Sequence, residues 1–339
     1  MKSKLTFLAF LFIMMNPTLV LSASEGNSTS EPGMFDKGVL NLSLENDLFA
    51  GRDLGYTNGV RIAYTLPEDK MPKLVKNSAN HILQFNKEGK RYITAALGQQ
   101  IYTPSDISKT EFIKNDYLYA GWLYGSLGVI SDAGSTYDSS TISLGVVGPS
   151  SQAEQTQTFV HKVKGVQKPM GWDNQLKDEP GAIFSYERKW REAYRREFFG
   201  WDFDSIPHAG FNLGNVHTDA TIGTTLRLGR HLPLDYGPTR LQPSMAGSDL
   251  FIPAKGFNYY FFTILEMRAV GRNIFLDGNT FQNGPHLDKR TFVKDAQVGV
   301  SLTYKDSKIS YTHIFQSREF KGQDDSVTEY GVLTFSHSF

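Results

Sequence analysis

Along much of this chain, apolar and polar residues alternate one by one. From Gly59 to Leu66 one face reads Val60, Ile62, Tyr64 and Leu66, and the other reads Gly59, Arg61, Ala63 and Thr65. Ala296 to Tyr304 separates in the same way, with Val298, Val300 and Leu302 opposed to Gln297, Gly299, Ser301 and Thr303. Thr141 to Val146 and Ile309 to Gln316 repeat the pattern. A period of two with a polar second face marks a half-buried strand. Taken in order, such stretches predict twelve strands, near 39–47, 58–66, 91–102, 116–130, 138–148, 180–191, 206–215, 219–229, 258–271, 291–304, 308–318 and 327–339.

What the apolar faces meet is decided by composition and by the chain ends. Lys2 and Lys4 precede an apolar run from Leu5 to Met15, with Ser22 and Ala23 after it, the layout of a cleaved secretory signal over residues 1–23. Residues 24–339 then form a single exported domain. No later run reaches the roughly 20 apolar residues of a spanning helix. The chain has no cysteine but 24 Phe, 16 Tyr and 31 Gly, a load that suits many strands and excludes a disulfide scaffold. The fold predicted is all-β, a twelve-stranded antiparallel transmembrane β-barrel of a bacterial outer membrane, with apolar faces to lipid and polar faces to the lumen. The last strand alternates Leu333, Phe335, His337 and Phe339 with Thr334, Ser336 and Ser338. Chains that end this way resemble outer-membrane proteins read by the barrel assembly machinery. With both termini periplasmic, the connections at 48–57, 105–115 and 149–179 are extracellular, and the one at 67–90 is periplasmic with a short helix around Lys73 to Leu83. The 35 basic and 35 acidic residues balance, which argues against a nucleic-acid partner.

Two outer connections carry candidate chemistry. The first holds Asp47, Asp53 and Thr57, an acid and hydroxyl set able to hold a hard cation, although Asn, Asp and Gly there are also ordinary turn formers. The third begins with Ser151-Gln152-Ala153-Glu154, read as a capping box, and runs without Gly or Pro to Lys164 before Gly165. It predicts a short helix in an extracellular loop, carrying His161. The eight histidines form no His-x-x-x-His pair, and no Gly-x-Ser-x-Gly is present, so zinc and nucleophile-elbow chemistry are poorly supported. Carboxylate and hydroxyl oxygens favour calcium.

Several blocks then follow one another in a telling order. They are Glu45-Asn46-Asp47, Tyr56-Thr57-Asn58-Gly59, Gly98-Gln99-Gln100-Ile101-Tyr102-Thr103-Pro104, Tyr119-Ala120-Gly121-Trp122, Val147-Gly148-Pro149 and Gly171-Trp172-Asp173-Asn174-Gln175. Their order and spacing resemble the lipid A 3′-O-deacylase family of Gram-negative outer membranes. The resemblance implies a calcium-dependent ester hydrolase that removes an acyloxyacyl chain from the lipid A part of lipopolysaccharide, working at the outer leaflet among outer-membrane lipids. The family's Asn–Asp pair falls on Asn46 and Asp47, its hydroxyl residue on Thr57, its loop lysine on Lys109 and its histidine on His161. The implied roles are His161 as general base on water, Asp47 and Thr57 as calcium ligands, Asn46 as an oxyanion donor and Lys109 as a grip on a phosphate or sugar. Gln167 stands where the family carries an acid six residues past its histidine. That position is expected near the substrate, turnover is expected to suffer, and Glu154 or Asp173 are the acids able to replace it. The rival readings are a non-catalytic channel or structural barrel and an outer-membrane phospholipase.

Overall fold

The computed structural model describes residues 37–46, 55–191, 193–238, 249–323 and 327–339, with the backbone alone at 55–57. The predicted signal, Asp47 and Asp53 lie outside the described residues, and Thr57 contributes only its backbone. The strands are β1 (Val39–Asn46), β2 (Gly55–Pro67), β3 (Lys90–Thr103), β4 (Ala120–Asp132), β5 (Thr136–Val147), β6 (Glu179–Trp190), β7 (Tyr194–Phe198), β8 (Trp201–Gly214), β9 (His217–Gly229), β10 (Phe257–Asn273), β11 (Phe292–Tyr304), β12 (Ser307–Ser317) and β13 (Val327–Ser338). Neighbours in sequence pair antiparallel, β6 pairs with β8, and β1 pairs with β13, which closes twelve strands into a barrel. Each of the twelve predicted strands is present.

The thirteenth, β7, was not predicted. It extends the first residues of β8 outside the ring, and its five residues are all exposed. Arg195, Arg196 and Glu197 leave it no apolar face to read, so its pairing is a hairpin effect rather than a burial effect.

Closure removes the edges that an open sheet would present. The seam runs from Val39 opposite Ser338 to Asn46 opposite Gly331. The chain's last residue takes part, since Phe339 exchanges main-chain hydrogen bonds with Gly38 and stacks its ring on Tyr64 at 5.4 Å. The alternation resolves as expected. Leu42, Leu44, Val60, Ile62 and Leu97 are exposed on the outer wall, while Asn41, Ser43, Arg61, Thr94 and Gln100 are buried towards the lumen.

The lumen is filled at both ends. At the end carrying the termini, the connection between β9 and β10 turns inward, burying Asp235, Tyr236, Asp249, Leu250 and Phe251. Asp249 meets Arg61 through two bonds of 2.8 and 2.7 Å and accepts from Thr94 at 3.2 Å, and its carbonyl accepts from Asn41 at 2.9 Å. Asp235 and Asp204 both pair with Arg227. Charges this deep persist because each is paired and hydrogen-bonded. At the other end, a short helix (Ile274–Asp277) folds over the mouth and stacks Phe275 on Tyr102 at 3.9 Å. This internal filling leaves no trace in the alternation of the strands.

Two further helices lie on the outer wall. We number all three in chain order: α1 (Lys73–Ala79), α2 (Ala153–Lys164) and α3, the mouth helix just described. Around α1, Met71, Ala79 and Ile82 cover Ile93 and Val129 near the end that carries the termini. The twelve-strand ring puts both termini at one end, the periplasmic one in outer-membrane barrels, so the opposite end, with the connections after β1, β3, β5 and β10, is extracellular.

Candidate active site

One rung of the barrel organises the site. Asn46 at the end of β1 lies opposite Asn58 of β2, Asn58 lies opposite Ile101 of β3, and Ile101 lies opposite Gly121 of β4. By alternation all four face outward. The register of β2 slips between Tyr56 and Asn58, so the backbone of Thr57 is an irregularity at the extracellular edge. Such bulges re-aim a side chain beside a functional site.

The first turn of α2 sits directly on this rung. A Cβ added at Gly121 would lie 2.1 Å from Ser151 Oγ and 2.2 Å from the Ala153 Cβ, so only glycine lets the helix approach. Gln99, also facing outward, donates to the Ser151 carbonyl at 2.6 Å. Ile101, Tyr119, Ala153 and Trp172 close into a buried apolar cluster between helix and wall. The expected capping box does not form. Ser151 lies in a tight 3-10 turn over Pro149–Ser151 and spends its hydroxyl on the Gly148 carbonyl at 2.6 Å, and Gln152 takes the cap position in the left-handed region. The predicted stop at Gly165 does hold, with Gly165 left-handed and the amides of Gly165 and Val166 bonded back to Lys162 and His161.

The buried positions of α2 are Ala153, Gln157 and His161, one face at a spacing of four. Phe159 and Val163 lie on the opposite, exposed face. Trp172 donates from its indole to Gln157 Oε1 at 2.9 Å and packs on Tyr119 at 4.9 Å. His161 is 8% exposed, and its Nδ1 lies 2.5 Å from the main-chain carbonyl of Gln167. A carbonyl only accepts, so Nδ1 carries the proton and Nε2 of the neutral ring keeps its lone pair. The turn at Gly165 brings that carbonyl back onto the ring. Gln167's own side chain is exposed and donates to the Lys168 carbonyl at 3.1 Å.

Lys109 stands on the second wall of the site. Its loop is stitched to the segment after α2 by Met170 N–H to the Ile107 carbonyl at 2.8 Å and by Asn174 Nδ2 to the Thr110 carbonyl at 2.7 Å. The exposed Lys109 ammonium is 3.5 Å from Asp106. Hydrogen bonds from Ser108 hold the Asp106 carboxyl below the usual carboxylate range, and Lys109 adds to this. The structure thus puts Asn46 and the β2 bulge on the rung where the first turn of α2 docks, and joins His161, Gln167 and the loop of Lys109 through the segment after α2, all at the extracellular end. Among the described residues, no three His, Asp or Glu side chains converge as a metal-holding group. Gln157, on the face of α2 that carries His161, and Trp172, in the Gly171-Trp172-Asp173-Asn174-Gln175 block, bond to each other beside His161, and the sequence pattern assigns neither a role. Gln157 Nε2 and Thr158 Oγ1 are buried beside His161 without a hydrogen-bond partner among the described residues.

The family model described as outer membrane protein LpxR matches residues 6–339. The chain belongs to the LpxR outer-membrane protein family. LpxR from Salmonella typhimurium has the same fold, with a TM-score of 0.70 at 21% identity over 89% of this chain and 100% of that one. The β domain of the Bordetella autotransporter BrkA is a more distant barrel, with a TM-score of 0.44 at 10% identity over 89% of this chain and 99% of that one. Comparison with curated proteins gives no match. An LpxR-family barrel resides in the outer membrane.

Proposed function

We propose that this outer-membrane barrel is a hydrolase that removes the 3′-linked acyloxyacyl chain of lipid A by attack of water on the ester. The observation that carries the reading is His161 on the buried face of α2, on the lipid-facing side of the barrel, with Nδ1 committed to the Gln167 carbonyl, so that in a neutral ring Nε2 is the acceptor. A ring so fixed is suited to take a proton from water.

The outer wall supplies the remaining parts. The oxygen donors assigned to calcium, Asp47 and Thr57, are hard ligands of the kind that ion takes, and Asn46 immediately precedes the first of them, at the end of β1 beside the bulge. Calcium bound there supplies positive charge to an ester carbonyl. The amide groups of Asn46 and Gln157 offer donors for a developing oxyanion, Gln157 through an Nε2 that has no hydrogen-bond partner among the described residues. Trp172 holds that amide in orientation. Lys109, exposed on a loop braced against the same segment, would meet a phosphate or sugar of the lipid A headgroup. The exposed Phe159 and Val163 give α2 an apolar side for acyl chains. At position 167 the main-chain carbonyl holds the ring, so that orienting contact survives the departure at Gln167.

The test is purified protein with lipopolysaccharide and calcium, followed by mass spectrometry of the lipid. Release of the acyloxyacyl chain is expected, and its absence under conditions that keep the barrel folded removes the reading. Glycerophospholipid products in place of lipid A products would favour the phospholipase reading.

A further inference from the structure

On the other side of Asn46 the outer wall carries a second polar group. Asn46 lies opposite Gly331 of β13, and Gly331 lies opposite His313 of β12. All three face outward by alternation, and the middle one has no side chain, so a gap separates Asn46 from the His313 ring. His313 Nε2 is 3.3 Å from Glu329 Oε2, and Nδ1 is 3.4 Å from the Tyr311 hydroxyl. His313 and Glu329 retain 21% and 27% of their side-chain exposure, on the face where the neighbouring strands show Val298, Leu302, Leu333 and Phe335. A histidine and a carboxylate on the lipid side of a barrel are costly, and such groups mark a site more often than a surface accident.

The pair also borders a groove. A depression of about 690 Å³ on the outer wall of β9 to β13 is lined by Ile222, Leu265, Ala296, Phe315 and Val327, with Lys294 at its extracellular side. Phe315 is common to both features, its ring 4.6 Å from that of His313. The small Ala296 between Leu265 and Phe315 forms the floor, since the three lie on one rung.

We infer that His313 and Glu329 form a second binding point on the same substrate surface, hydrogen-bonding the hydroxyl or amide groups of an acylated amino sugar while one of its acyl chains lies in the adjoining groove. This rests on the proposed action on lipid A and adds to it. The carboxylate selects the ligand class. It has about four acceptor positions, of which His313 uses one, so it takes O–H and N–H donors and repels a phosphate. Gly331 keeps the path to Asn46 open, and a lipid wide enough to span several strands is held at both ends of that path.

Glu329→Gln and His313→Phe test the assignment, each in a His161→Ala background titrated with lipid A in mixed micelles. Binding about tenfold weaker is expected, the loss of one charge-assisted hydrogen bond, with heat-modifiable gel migration unchanged. In protein that keeps His161, the same two substitutions raise KM about tenfold while kcat stays within about twofold. Dephosphorylated lipid A should show the same ratio; a ratio that disappears with it makes the pair a phosphate reader and overturns the assignment. Unchanged binding in both variants, or no lipid A binding by His161→Ala protein, also overturns it. Weakened binding together with no ester release by unsubstituted protein leaves the binding point standing and removes the hydrolase reading alone.

Discussion

His161 has two ring nitrogens, and the structure gives them different tasks. Nδ1 is tied to the Gln167 carbonyl at 2.5 Å, which fixes the tautomer and the plane of the ring. His161→Ala is expected to lower acyl release by about 10²–10⁴-fold, the usual contribution of a positioned base, while the barrel keeps its heat-modifiable migration. Gln167→Ala should retain activity within about twofold, because the group that holds the ring is main chain and survives the substitution. A large loss in that variant would show that the side chain itself takes part. Trp172→Phe keeps the packing on Tyr119 but drops the bond to Gln157. If the orientation of that amide matters, kcat falls about three- to tenfold, the worth of one hydrogen bond, with KM little changed.

At the scale of elements, the decisive contact is α2 on β4. A twelve-residue helix has little independent stability in water, so its position depends on what it docks against. Gly121→Val would insert side-chain atoms where Ser151 and Ala153 now sit. The expected result is loss of acyl release from a barrel that still assembles and migrates normally, which separates the placement of the helix from the fold. A different element anchors the terminal end. Asp249 ties the β9–β10 connection to Arg61, Thr94 and Asn41 inside the lumen. Asp249→Ala leaves a buried guanidinium unpaired, at about 3–5 kcal/mol. The temperature at which the barrel unfolds on a gel should drop clearly, with acyl release at low temperature largely kept because the outer wall is untouched.

For the whole molecule, the filled lumen bears on the channel alternative. The inward connection occupies one end and α3 with Tyr102, Trp122 and Tyr330 the other. Reconstituted into planar bilayers, the protein should show no steady pore conductance, and a stable open state would count against a purely lateral, lipid-facing role. Chelation of calcium should suppress acyl release without changing heat-modifiable migration, since closure of the ring rests on main-chain pairing between strands.

Strands and their order were legible because alternation is a local property: each residue's face is fixed by its neighbours two away, and burial on a barrel wall acts on every strand alike. The stop of α2 at Gly165 was legible for the same reason, as a backbone requirement written in one residue. Its start was not, because Ser151 and Gln152 answer to the close approach at Gly121, a contact made thirty residues away in the chain. The resemblance singled out Asn46, Lys109 and His161, but only the docking of α2 and the segment after it on β3 and β4 sets them at one end of the outer wall. Likewise, His161's acceptor turned out to be a carbonyl, which no pattern of side chains could announce, and Gly331 with His313 and Glu329 become neighbours of Asn46 only once the last strand meets the first. Local periodicity selects the elements; contacts between distant segments select which side chains share a site, and those depend on the register that closure imposes.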